Sequence, residues 1–164
     1  MPEAPIEFDE ARRSLNDEAF WSEASALVAA AMEGHASMVK LLLEAGADPQ
    51  QGITVGPAGC RMSETWLCAP ADKGHAAVVE LLLKAGADPQ QGLKAGPRGS
   101  LGSMSPLHAA AKNGHAAVVE LLLKAGADPS KGAAWGPFGV FGTESPLRAA
   151  QKNGHEAAVK ALRD

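Results

Sequence analysis

The sequence predicts a mainly α solenoid: antiparallel helix pairs stacked side by side, with extended β-hairpin fingers projecting from the joints. Three observations predict it. The 16-residue stretch GHAAVVELLLKAGADP occurs at Gly74–Pro89 and again, unchanged, at Gly114–Pro129, with a looser copy from Gly34 and a truncated one from Gly154. Self-similarity at a fixed step of 40 residues is the mark of a repeat architecture, in which each unit packs only on its neighbours. Within the stretch, apolar residues point in nearly every direction of a helix, so a partner helix and two neighbours must cover it. Between the copies, the connectors QQGITVGPAGCRMSE, QQGLKAGPRGSLGSM and SKGAAWGPFGVFGTE share G-x-x-x-G-P-x-G, and Pro at i+1 with Gly at i+3 suits the turn of a hairpin.

The elements follow in order. Residues 1–24 precede the repeats. Asp9 can cap a short helix that puts Phe8, Ala11, Leu15 and Ala19 on one face, as the N-terminal end of a stack requires, with Phe20 and Trp21 packing over the first repeat. Each repeat then opens on a short first helix, clearest in Ser105–Gly114. Serine caps it, proline takes the first helical position where its missing N–H does no harm, and glycine stops it. Its alanines leave room for close neighbours. Ser145-Pro146-Leu147-Arg148 keeps this pattern, while Thr65-Trp66-Leu67-Cys68 and Ser25-Ala26-Leu27-Val28 degrade it. Pro70 falls inside a first helix, where it is expected to remove a backbone bond and make the second repeat irregular.

The second helix is the repeated stretch itself. In His115–Ala125 only Glu120 and Lys124 are charged, four apart on one solvated stripe, in the order that stabilises a surface pair by about 0.3 kcal/mol. Gly46, Gly86 and Gly126 are placed to end these helices in a left-handed cap. The hairpins that follow have their tips at Gly56–Gly59, Gly96–Gly99 and Gly136–Gly139.

Ser105–Asp128 follows the pattern TPLHxAAxxGHxxVVxLLLxxGAD almost throughout, and the chain thereby resembles the ankyrin-repeat family. The resemblance covers Ser25 to about Leu162 in four helix pairs, with repeats at about 25–64, 65–104, 105–144 and 145–164. It implies a curved solenoid with hairpin fingers and a concave groove that binds partner proteins. The PLH histidine survives only as His108, replaced by Val28, Cys68 and Arg148. The family repeat has about 33 residues, and the excess of about seven here falls in the connector, which marks a long-finger variant with fingers lengthened by roughly 10 Å.

Chemistry has no candidate constellation. Nineteen acidic and fifteen basic residues are interspersed, for a net charge of −4, and form none of the basic faces that nucleic acid demands. No apolar run approaches the roughly 20 residues that cross a bilayer, and MPEAPIEFDEARR lacks the apolar core of a secretory signal. An intracellular protein, cytoplasmic or nuclear, is expected. The two cysteines, Cys60 and Cys68, have no metal-ligand spacing, and in a reduced compartment a disulfide between them is the lesser alternative. His35, His75, His115 and His155 recur once per repeat, so each is read as doing one structural job at the turn into the second helix. No nucleophile motif or phosphate loop is present, so neither catalysis nor a cofactor is expected.

Positions that repeat are explained by stacking, and positions that vary are free to recognise something. One varying row ends the first helices: Met32 and Glu33, Asp72 and Lys73, Lys112 and Asn113, Lys152 and Asn153. The resemblance places this row on the groove. The other row is on the fingers, where Arg98, Trp135, Phe138 and Phe141 stand out. The chain has three tryptophans, four phenylalanines and no tyrosine, and the third finger carries three of these aromatics within seven residues. Aromatic anchors dominate binding hot spots. The alternative is that they pack on the second finger or the C-terminal helix as a small core; Trp135 reads as structural and Phe138 as exposed. Two function classes follow: a non-catalytic module that binds a protein partner through groove and fingers, or a permanent structural subunit of a larger assembly.

Overall fold

The computed structural model of the chain describes residues 26–49, 53–55, 62–64, 67–95, 102–135 and 142–164. The helix expected within residues 1–24, the three finger tips, Cys60, Arg98, Phe138 and Phe141 lie outside the described residues.

Four helix pairs follow one another: α1 (Ala26–Met32) with α2 (Ala36–Glu44), α3 (Cys68–Lys73) with α4 (Ala76–Lys84), α5 (Pro106–Lys112) with α6 (Ala116–Lys124), and α7 (Pro146–Lys152) with α8 (Glu156–Ala161). The first helices stack in one row, α1 on α3 on α5 on α7, and the second helices stack in another, α2 on α4 on α6 on α8. Ala109, Ala110 and Ala111 have no exposed surface, nor have Ala149 and Ala150: methyl-sized side chains are what let the first row close up.

The local signals act as their chemistry dictates. Ser105 caps α5 by accepting the His108 backbone N–H at 3.1 Å, with Pro106 at the first position, and Ser145 accepts the Arg148 N–H in the same way. Each pair turns sharply at a left-handed glycine, φ +80° at Gly114, and the Gly114 and His115 amides close back onto Ala111 and Ala110. The second helices end in the same double bond, Gly126 to Leu123 and Ala127 to Leu122. Asp128 then folds the chain over by accepting the Ser130 amide at 2.8 Å and the Ser130 hydroxyl at 2.6 Å, bonds that hold its carboxyl below the usual range.

The connectors form hairpins: β1 (Ile53–Val55) with β2 (Met62–Glu64), β3 (Leu93–Ala95) with β4 (Gly102–Met104), β5 (Ala133–Trp135) with β6 (Gly142–Glu144). The hairpins also pair with each other, giving one antiparallel six-stranded sheet in chain order. Its register repeats with the sequence, since Leu93 faces Met104 as Ala133 faces Glu144, and Met62 faces Ala95 as Gly102 faces Trp135. Gly132 sits where a Cβ would overlap the Glu144 carbonyl, so the neck of the finger admits no side chain.

Two expectations are corrected. The second repeat is irregular at its first helix, but Pro70 removes no helical bond. α3 begins at Cys68, two residues later in register than α5, so Pro70 is its third residue, where the N–H has no helical acceptor in any case. Its carbonyl still accepts the His75 amide at 2.8 Å, and the ring is buried. The irregularity is a shortened start to the helix. Nor is the second helix covered on nearly all sides. Val118, Val119 and Leu122 are buried, but Leu121 and Leu123 are half-buried and Ala117 is exposed, because row neighbours and the paired helix leave an outer flank open. At the first place in this row Met38 and Leu41 are 39% and 60% exposed, since α2 has a described row neighbour on one side only. The charged stripe is solvated as expected. Yet Glu80 and Lys84 pair at 2.6 Å while the same residues at 120 and 124 stand apart, as exposed pairs of little energy do.

Candidate functional site

The residues that vary at the ends of the first helices come into one line because the helices carrying them stack. Glu33, Asp72, Lys73, Lys112 and Asn113 are exposed, and Met32 is half-buried against the core. Bonds from repeat to repeat tie the line together. Lys73 Nζ donates to Glu33 Oε1 at 3.3 Å, and Asn113 Nδ2 donates to the Asp72 carbonyl at 2.9 Å and carboxylate at 2.7 Å. Asn153 Nδ2 reaches the Lys112 carbonyl at 3.0 Å. These side chains therefore have two duties, holding register and facing outward. On the fingers, the backbone of Trp135 pairs with Gly102 on one side and Gly142 on the other.

The recurring histidines have a clear job. His115 Nε2 lies 2.9 Å from the Asp72 carbonyl, so that nitrogen carries the proton, and the ring covers Gly74 of the preceding repeat. A Cβ on Gly74 would come within 2.5 Å of the His115 ring, and Gly34 and Gly114 meet His75 and His155 alike. Each histidine thus seats one repeat on the glycine turn before it. Among the described residues no three His, Cys, Asp or Glu side chains gather as a metal site.

One cluster escaped sequence reasoning. His108 is 1% exposed, and its Nε2 lies 3.7 Å from Glu144 Oε2 at the neck of the next finger. Glu144, 15% exposed, also faces Lys152 Nζ at 3.7 Å. Burial lowers the His108 pKa, the Glu144 charge opposes this, and Lys112 one turn away adds to it, so the ring is held neutral. In the preceding repeat Cys68 is buried in the same place and its Sγ donates to the Met104 carbonyl at 3.5 Å. No paired change across the repeats announced the contact, since Glu64 already holds the Glu144 place in the repeat where Val28 holds the His108 place. Ser105 lies near this pair, but its hydroxyl donates to the Lys131 carbonyl at 2.7 Å while accepting the His108 backbone N–H. Caught between two backbone partners, it holds the cap rather than waiting as a nucleophile.

Among the described residues no helix is long and apolar enough to cross a membrane. No curated protein matches the chain. A family model described as ankyrin repeats in three copies matches residues 8–92, more than half of the chain, and a single ankyrin-repeat model matches residues 103–132. The first match begins ahead of the first described helix. With helix pairs, glycine turns and hairpins recurring in register, the chain belongs to the ankyrin-repeat family, whose members are in general protein–protein interaction modules and typically not enzymes.

Proposed function

We propose that this chain is a non-catalytic binding module that takes a protein partner across the face formed by the ends of its first helices and by its fingers. The observation that carries this reading is the line of exposed, non-repeating side chains from Glu33 through Lys73 and Lys112 to Lys152, kept in register by bonds between repeats. A surface ordered before binding loses little entropy when a partner arrives. To this face the reading adds Arg98, Trp135, Phe138 and Phe141 of the finger sequences as partner contacts, with Phe138 as the anchor. The protein works inside the cell, in cytoplasm or nucleus.

The test is affinity capture with the wild type and a Phe138→Ala variant, alongside thermal melting of both. The expected outcome is an unchanged melting temperature with partner binding weakened by about tenfold or more. A loss of several kcal/mol of stability would instead make the third finger a small core and remove it from the binding face. A protein that behaves poorly alone and gives up the partner only on unfolding would favour the permanent subunit.

A further inference from the structure

We propose that the C-terminal half of this face docks an acidic stretch of a partner polypeptide. The inference rests on the binding-module reading and adds the chemistry of the partner. Charge along the line is not evenly spread. The first two repeats supply Glu33, Asp72 and Lys73: Lys73 lies on Glu33, and the Asp72 carboxylate keeps its charge while accepting from the neutral Asn113 amide. The last two repeats supply Lys112, Arg148 and Lys152, all exposed. Among the described residues no ion pair holds Lys112 or Arg148, and Lys152 remains 72% exposed while facing Glu144.

These cations lie on two adjoining helices. Lys112 lies one turn beyond His108 on α5, Arg148 and Lys152 are one turn apart on α7, and the two helices pack together. Glu144 joins them by facing both His108 and Lys152. With His108 neutral, three positive charges stand against the half-buried Glu144 and the Asp72 carboxylate that Asn113 bonds beside Lys112, a surplus of one positive charge on a chain whose net charge is −4. Neighbouring helices are about 10 Å apart, so Lys112 and Lys152 stand about three residues apart as an extended partner chain measures it. A polyproline II segment, with three residues per turn and a rise of about 3.1 Å per residue, presents Asp or Glu at i and i+3 on one face at that spacing, and the Arg148 fork can take a carboxylate by two bonds. Nucleic acid is less suited, because a duplex engages a longer cationic run and Glu144, Glu120 and Glu156 lie on the same units.

The experiment is selection of a random peptide display library on the full chain, then titration of a synthetic copy of the best peptide. The expected result is peptides with two acidic residues three apart. Their affinity should fall with added salt, fall about tenfold in the double variant Lys112→Glu/Arg148→Glu, and stay unchanged in Lys124→Glu on the second-helix row. Selected peptides without net negative charge, acidic peptides that the double variant retains, or a single-stranded oligonucleotide of equal charge that competes equally well would each overturn the proposal. Neutral peptides lost on substitution of Glu33 or Asn113 would leave the module standing and only its acidic partner rejected. Failure to select any peptide that depends on a residue of the line would remove both.

Discussion

Leu122 and His108 show how differently two buried side chains hold the same repeat. Leu122 has no exposed surface and sits between the two helix rows, so Leu122→Ala leaves a cavity and should cost about 2–5 kcal/mol in urea unfolding. A normal unfolding midpoint for that variant would mean that the rows can close over the gap. His108 is buried neutral, and its stabilising effect has a pH sign. Its pKa in the folded chain lies below the ordinary value of about 6.5, so above that pH neither state binds the proton and its contribution is fully present. Below it the unfolded chain is protonated first, and stability is lost as pH falls. Unfolding midpoints from about pH 7.5 to 5.5 should therefore drop more steeply for wild type than for His108→Val, which places the Val28 side chain type at that position. Equal slopes would mean that the ring accepts its proton inside the fold.

The helix pair is legible in sequence, and the contact between pairs is not. Serine, proline and glycine at their places announce each first helix because capping chemistry is local. The once-per-repeat histidine announces only that it does something, since the glycine it covers belongs to the previous unit. That contact predicts an asymmetry. Gly114 and Gly154 share a left-handed backbone, φ +80° and +75°, and an alanine is strained at both by roughly 1 kcal/mol. At Gly114 the new methyl also meets the His155 ring, whereas at Gly154 it meets nothing within 4 Å. Gly114→Ala should be the costlier by about 1 kcal/mol in denaturant unfolding, and the difference should vanish when His155→Ala is added. A difference that persists without the ring would show that the histidine does not seat the repeat.

Over the whole molecule, stability passes from neighbour to neighbour, so position in the stack matters as much as sequence. The last repeat is apolar-poor: Ala158 is buried where Val118 is, and Val159 and Leu162 are half-buried where Val119 and Leu122 are buried fully. With these smaller and less buried side chains, α8 should exchange its amide hydrogens fastest among the second helices and α6 much more slowly, measured by mass spectrometry under native conditions. Uniform protection from α4 to α8 would mean that the four pairs open as one. The polarity of the proposed binding face belongs to this scale too, since no single repeat shows that Lys73 is paired with Glu33 in the first half while Lys112 and Arg148 are left without an ion pair among the described residues of the second.

The sequence by itself determined the repeat, its 40-residue step, the helix pair with its caps, and the hairpin in the connector. Each of these depends on residues a few positions apart, and their periodicity is printed four times in the chain. The tertiary structure decided that Pro70 falls in the first turn of a helix rather than interrupting one, that the hairpins join into one sheet, and that His108 meets Glu144. These contacts span about one repeat, and only stacking determines which side chains the step of a solenoid brings together.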